Sequence, residues 1–180
     1  GRDHAAGRNA VIAAATFAAA IDAMSGRRDG LTVNVAKIDG GGPNNVVPDN
    51  AVVRFNVRVE KAGDADWFMG QSGKLLDAVN DRDGYGVHLH GSFGRPPKPM
   101  TPELDAFFRA LKDCGVELGL DIGWKATGGV CDGNNIAAAG IPVIDTLGAR
   151  GGDIHSSNEF VKLDSLEERA KLSALLLLRV

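Results

Sequence analysis

In Val52-Val53-Arg54-Phe55-Asn56-Val57-Arg58-Val59, apolar and polar residues alternate from Val53 onward. A β-strand sends successive side chains to opposite faces, so Val53, Phe55, Val57 and Val59 share one face and Arg54, Asn56 and Arg58 the other. Upstream, Leu31, Val33 and Val35 alternate with Thr32, Asn34 and Ala36 in the same period, which predicts a partner strand. Ahead of it, Asn9 to Met24 is Ala-rich, carries Val11, Ile12, Ala15, Ala19 and Met24 as apolar positions, and stops at Ser25-Gly26, as a helix does. Downstream, Asp64 can cap a second helix running to about Asn80, with Trp67, Leu75, Leu76 and Val79 toward a core. Asp83-Gly84 is a turn, and Tyr85 to Phe93 reads as one more strand. The order α-β-β-α-β is that of a ferredoxin-like α+β unit missing its first strand.

Arg95-Pro96-Pro97-Lys98-Pro99 interrupts the pattern and divides the chain into a first domain, residues 1–99, and a second, residues 100–180. In the second, Thr101-Pro102-Glu103 opens a helix through Leu118 with proline at its first position. Trp124 to Thr127 and Ile141 to Thr146 read as short buried strands, separated by a Gly-rich turn and a small helix, Asn134 to Ala139. Leu163 to Leu178, with Asp164-Ser165 as its cap, closes an α/β arrangement.

The 180 residues are 44% apolar, enough to bury a core in one or two small domains. A net charge of −3 with scattered basic residues argues against a nucleic-acid-binding surface. The longest apolar run, Ala174 to Leu178, is far short of the roughly 20 residues that span a bilayer, so no membrane partner is expected. Two cysteines, Cys114 and Cys131, suit a reducing compartment better than a disulfide scaffold, which favours the cytoplasm. Starting at Gly1 without an initiator Met reads as an internal cut through a longer protein.

Of four histidines, His155 has the most telling setting. It follows the glycine-rich Leu147 to Ile154, just after the strand expected at Ile141 to Asp145, and ligands in α/β proteins gather at the carboxyl ends of strands. Spacing alone leaves two readings open, a metal ligand or a surface residue. His88 and His90 share a strand face, either as a metal pair or as a solvated or cross-strand pair; His4 takes no role. Thr127-Gly128-Gly129 through Asn134-Asn135 joins a strand to a helix, and its glycines allow backbone N–H groups to approach an anion or merely make a tight connection. Cys131 offers a nucleophile by residue type, but no Cys/His signature surrounds it, which favours a small semi-buried thiol. Asn44-Asn45 precede the strand that presents Arg58, and amide plus guanidinium suits a carboxylate, although Arg54 and Arg58 equally suit a solvated strand face.

Four blocks in order, Gly7-Arg8-Asn9-Ala10-Val11, Gly41 to Asp49 with Asn45-Val46-Val47-Pro48-Asp49, Thr127-Gly128-Gly129 through Asp132-Gly133-Asn134, and Gly140-Ile141-Pro142 through His155-Ser156 and Glu159-Phe160-Val161, resemble the M20 metallopeptidase family. Its members include glutamate carboxypeptidase, acetylornithine deacetylase, succinyl-diaminopimelate desuccinylase and aminoacylase. The resemblance covers essentially the whole chain. It implies a lid and dimerisation domain followed by the carboxyl-terminal part of a zinc-hydrolase domain, acting as a homodimer on linear amides such as N-acyl amino acids or small peptides with a free carboxylate. It makes His155 a zinc ligand, Asn45 a catalytic lid residue, Arg58 the carboxylate-binding arginine, and Gly128 and Gly129 lining of the substrate pocket, with Asp132 shaping the loop. The family's lid histidine would lie just before Gly1, and its other metal ligands and general base would precede the lid, so the chain by itself is expected to be inactive. Rival expectations are an N-carbamoyl amino acid amidohydrolase on the same scaffold, and a non-catalytic module that only dimerises.

Overall fold

The computed structural model describes residues 6–180. Gly1, just before which the family's lid histidine is expected, and His4, which takes no role, lie outside the described residues. The backbone divides into two compact units, Gly1–Pro97 and Lys98–Val180.

Helix α1 (Ala10–Asp22) of the first unit starts where the Asn9 side chain accepts the Ile12 N–H at 3.0 Å. Ala13, Phe17, Ala18 and Ile21 make its buried stripe. Strands β1 (Thr32–Gly40) and β2 (Ala51–Arg58) form an antiparallel pair, from Thr32 opposite Arg58 to Gly40 opposite Ala51. The alternation read in β2 is reproduced, with Val53, Phe55 and Val57 half-buried and Arg54, Asn56 and Arg58 exposed. β1 runs longer than its alternation implied, because Ala36 bulges between Val35 and Lys37 and resets the register.

Helix α2 (Ala62–Asn80) begins before Asp64, which is therefore not its cap. Asp64 lies in the first turn, buried, and accepts a hydrogen bond from Arg28 at 2.8 Å. A ring ladder of Phe17, Phe55, Phe68 and Phe93, with successive centroids 6.4, 6.2 and 6.2 Å apart, joins α1, β2, α2 and the segment after it, and Ile21, Leu31 and Met24 fill the core around it.

The strand expected at Tyr85 to Phe93 does not form. Its residues keep the strand-like alternation, with Tyr85, Val87 and Leu89 half-buried and His88 and His90 exposed, but among the described residues no strand runs beside it. The Asn80 side chain takes the backbone bonds of Val87 instead, accepting its N–H at 2.7 Å. Alternation selects which face is buried, whereas a strand also needs a neighbour for its N–H and C=O groups.

In the second unit, helix α3 (Pro102–Glu117) opens as expected, with the Thr101 hydroxyl accepting the Leu104 N–H at 3.2 Å and Pro102 in the first turn. Helix α4 (Asp132–Ala138) is short. Strands β3 (Gly151–Gly152) and β4 (Phe160–Val161) pair antiparallel, and helix α5 (Asp164–Leu177) packs on α3. Leu111, Cys114, Ile122, Leu172 and Leu176 form the core, closed where Gly115 lets Ile122 approach the α3 backbone. The buried strands expected at Trp124 to Thr127 and Ile141 to Thr146 are absent among the described residues, and Trp124 and Ile141 are 59% and 56% exposed. Neither segment pairs with a neighbouring strand among the described residues, so their apolar side chains do not settle into a sheet. The whole is an α/β fold with two small antiparallel sheets. Among the described residues no helix is long and apolar enough to cross a membrane.

Candidate functional site

In the first unit, Asn45 lies exposed in the turn between β1 and β2. That turn is fixed by Val46 N–H donating to the Pro43 carbonyl at 3.0 Å and by Ala10 N–H donating to the Pro48 carbonyl at 2.9 Å, which ties it to the start of α1. Arg58 closes β2 at the far end of the ladder, opposite Thr32 and exposed, its Nε donating to Asn56 Oδ1 at 3.4 Å. The strand from Ala51 to Arg58 separates the two, a length of roughly 23 Å at strand rise. The fold therefore places the turn's amide and the guanidinium at opposite ends of one ladder. His88 and His90 share the exposed side of their segment, and among the described residues no three His, Cys, Asp or Glu side chains gather to hold a metal ion.

In the second unit, His155 lies exposed at the tip of the β3–β4 hairpin. The hairpin depends on glycine: a Cβ on Gly151 would meet the Phe160 carbonyl oxygen at 2.3 Å, and one on Gly152 the Phe160 ring at 2.8 Å. The tip is tightly wound. Asp153 and His155 adopt φ of 54° and 68°, the Ser156 hydroxyl donates to the Asp153 carbonyl at 2.7 Å, and the His155 N–H reaches Glu159 Oε2 at 3.4 Å. On the α5 side, the buried Ser165 hydroxyl accepts the Arg150 N–H at 2.8 Å, and the Arg150 guanidinium stands 3.0 Å from Glu168. Sequence reading placed His155 after a strand; the structure places it between two others, with α5 as the anchor.

The loop with Gly128 and Gly129 leads into α4. Thr127 Oγ1 accepts the Gly129 N–H at 3.3 Å, and at the helix start the buried Asn134 accepts the Cys131 N–H at 3.1 Å. Beneath it is a group that no spacing in the sequence announces. Asp145 Oδ2 accepts Lys98 Nζ at 2.6 Å and the Cys131 thiol at 3.2 Å, and Lys98 also donates to the Val143 carbonyl at 3.2 Å. The Lys98 ammonium holds the Asp145 carboxyl below the usual carboxylate range; partial burial opposes this, and the Cys131 thiol adds to it. The partner of Cys131 is thus a carboxylate that receives its S–H, not the imidazole base a nucleophilic thiol needs. Cys114 is buried in the α3–α5 core, and both cysteines are free thiols. Asp132 is the first residue of α4.

Residues 1–84 match the peptidase dimerisation domain described for M20 proteins. The chain is 35% identical over 130 residues to the succinyl-diaminopimelate desuccinylase of Bordetella petrii, covering 71% of this chain and 32% of that enzyme. The fold is similar to that of aminopeptidase PepT from Bacillus cereus, with a TM-score of 0.75 at 20% identity over 93% of this chain and 44% of that one. It is also similar to the YXEP protein of Bacillus subtilis, described as a dinuclear metal binding peptidase from the M20 family, with a TM-score of 0.65 at 19% identity over 94% of this chain and 46% of that one. The chain spans about a third of the length of the curated relatives it matches.

Proposed function

Because the chain belongs to the M20 metallopeptidase family, whose relatives above are hydrolytic enzymes, we propose that it is the lid and closing segment of a homodimeric hydrolase of linear amide bonds. The substrate class is an N-acyl amino acid or a small peptide with a free carboxylate. In this reading residues 1–99 form a ferredoxin-like lid that dimerises and residues 100–180 belong to the catalytic domain. The cytoplasm is the assigned compartment, on the free thiols Cys114 and Cys131. The observation that carries the proposal is the dimerisation-domain match over residues 1–84 combined with a fold shared along nearly the whole chain.

His155, exposed on a hairpin tip, is the metal ligand this chain offers, and zinc suits its imidazole. One imidazole is not a binding site, and the described residues hold no cluster that completes it. Bound metal would supply an activated water at neutral pH. This chain's residues do the rest of what can be assigned to them. Arg58 holds the substrate carboxylate by charge-assisted hydrogen bonds, Asn45 donates to the developing oxyanion, and the backbone at Gly128 and Gly129 lines the substrate pocket. Binding energy from the remote carboxylate orients the scissile bond.

The placement of Asn45 and Arg58 at opposite ends of the ladder supports a site shared between protomers. Asn45 lies in the turn at one end of the ladder and Arg58 closes the other end, and in this reading each substrate meets Asn45 from one protomer and Arg58 from its partner. The test is subunit complementation in the full-length protein, followed by release of free amine from an N-acyl amino acid. Asn45→Ala and Arg58→Ala homodimers should both be poor enzymes, and a mixture should recover activity in the heterodimer, where one site keeps both residues. No recovery on verified mixing would put both residues in one protomer's site. The module reading, dimerisation alone, rests on the same 1–84 match and would be favoured by a stable dimer that hydrolyses no amide.

A further inference from the structure

Three elements of the second unit converge on one carboxylate. Asp145, on the segment after α4, is bound by Lys98 from the start of the unit at 2.6 Å and by the thiol of Cys131, the residue just before α4, at 3.2 Å. Lys98 and Asp145 side chains are only 19% and 31% exposed, so the pair is partly shielded from water and salt. Packing around it leaves little slack. A Cβ on the buried Gly133 would lie 3.0 Å from Asp145 Oδ2, 3.2 Å from Cys131 Sγ and 3.2 Å from Val143 Cγ1. Cys131 is fixed from its other side by Asn134, and two residues upstream begins the Gly128–Gly129 turn, itself braced by Thr127.

We propose that Asp145, held by Lys98, is the positioning residue of the Gly128–Gly129 loop and acts on it through the Cys131 thiol. The inference rests on the reading of that loop as substrate-lining. Lys98 fixes where the carboxylate stands through two bonds, to Asp145 and to the Val143 carbonyl, and the carboxylate then fixes Cys131 and the loop that runs into it. Glycines at 128 and 129 give the loop little stiffness of its own, so the bonds at its ends help to set its shape. This gives Cys131 a use as a hydrogen-bond donor, which serine can reproduce and alanine cannot.

The experiment is hydrogen–deuterium exchange on the 180-residue chain, comparing residues 127–134 with α3 and α5. Asp145→Ala and Cys131→Ala should each raise exchange in 127–134 about tenfold while α3 and α5 stay protected, and Cys131→Ser should remain within about twofold of the parent chain. Unchanged loop exchange in Cys131→Ala, or Cys131→Ser as loose as Cys131→Ala, overturns the proposal. If Asp145→Ala loosens α3 and α5 as well, its role is general to the unit, and the proposal fails unless Cys131→Ala is selective. The substrate reading is tested separately by KM against kcat for Cys131→Ala in the full-length hydrolase. A higher KM rescued by serine supports both ideas; a selectively loosened loop with KM unchanged keeps the positioning role and removes the loop from the substrate site.

Discussion

Breaking the Arg28–Asp64 pair from its two ends should have unequal effects. The ion pair is 2.8 Å long, but the side chains are 44% and 6% exposed, so the guanidinium is half in water and the carboxylate is not. Arg28 also stacks on Trp67, 4.9 Å from the ring centroid. Arg28→Ala strands a buried carboxylate. A hydrogen bond to a charged group contributes about 1.5–3 kcal/mol and an exposed cation–π contact about 0.5–1 kcal/mol, giving an expected loss of about 2–4 kcal/mol. Asp64→Asn leaves an amide that still accepts and a guanidinium that water solvates, at the loss of a favourable charge in the first turn of α2; its expected cost is about 1 kcal/mol. Urea unfolding followed by Trp67 fluorescence in a Trp124→Phe background isolates the first unit, since Trp124 is 59% exposed and its replacement should be silent. In the double-mutant cycle the two residues should couple by more than about 1 kcal/mol. An Asp64→Asn loss equal to or larger than that of Arg28→Ala, or strict additivity, would refute the argument that burial asymmetry sets the energetics.

Leu172 is fully buried between α3 and α5, so Leu172→Ala should cost the second unit about 2–5 kcal/mol in denaturant unfolding. Asp145 has a folded-state pKa below its unfolded value, so its contribution is present above about pH 4 and is lost as pH falls through the folded value. The stability gap between the parent chain and Asp145→Asn should be full at pH 6 and close in acid; a gap that widens below about pH 4 would reverse the sign. In the full-length protein, Arg58→Ala should raise KM about thirtyfold with little change in kcat, and Asn45→Ala should chiefly lower kcat, as steady-state kinetics would read. Elemental analysis of the purified 180-residue chain should find well under one zinc per chain, because His155 brings no converging ligands with it among the described residues.

Local patterns carried much of this fold. Thr101-Pro102 starts α3 through a hydroxyl and a ring that act within one turn, and the β2 alternation sorts valines from arginines without reference to anything distant. The same rules misplaced elements wherever a partner was required. Tyr85 to Phe93 alternates as well as β2 does yet has no ladder among the described residues, and Trp124 and Ile141 are apolar without being buried. Asp64 has the composition of a cap, but its carboxylate is taken by Arg28, 36 residues earlier.

For the candidate site, the sequence by itself determined the residue types and their order: the Asn45 turn, the outward Arg58, the glycine loop and His155, enough to find the family, because these motifs are short and contiguous. Tertiary structure decided what those residues stand next to. It put Asn45 and Arg58 at opposite ends of one ladder, set His155 on a hairpin tip anchored by Ser165, and brought Lys98, Cys131 and Asp145 together across 47 residues of chain. Hydrogen bonds and ion pairs form between groups a few ångströms apart, whatever their distance in sequence, and only the folded backbone sets which groups those are.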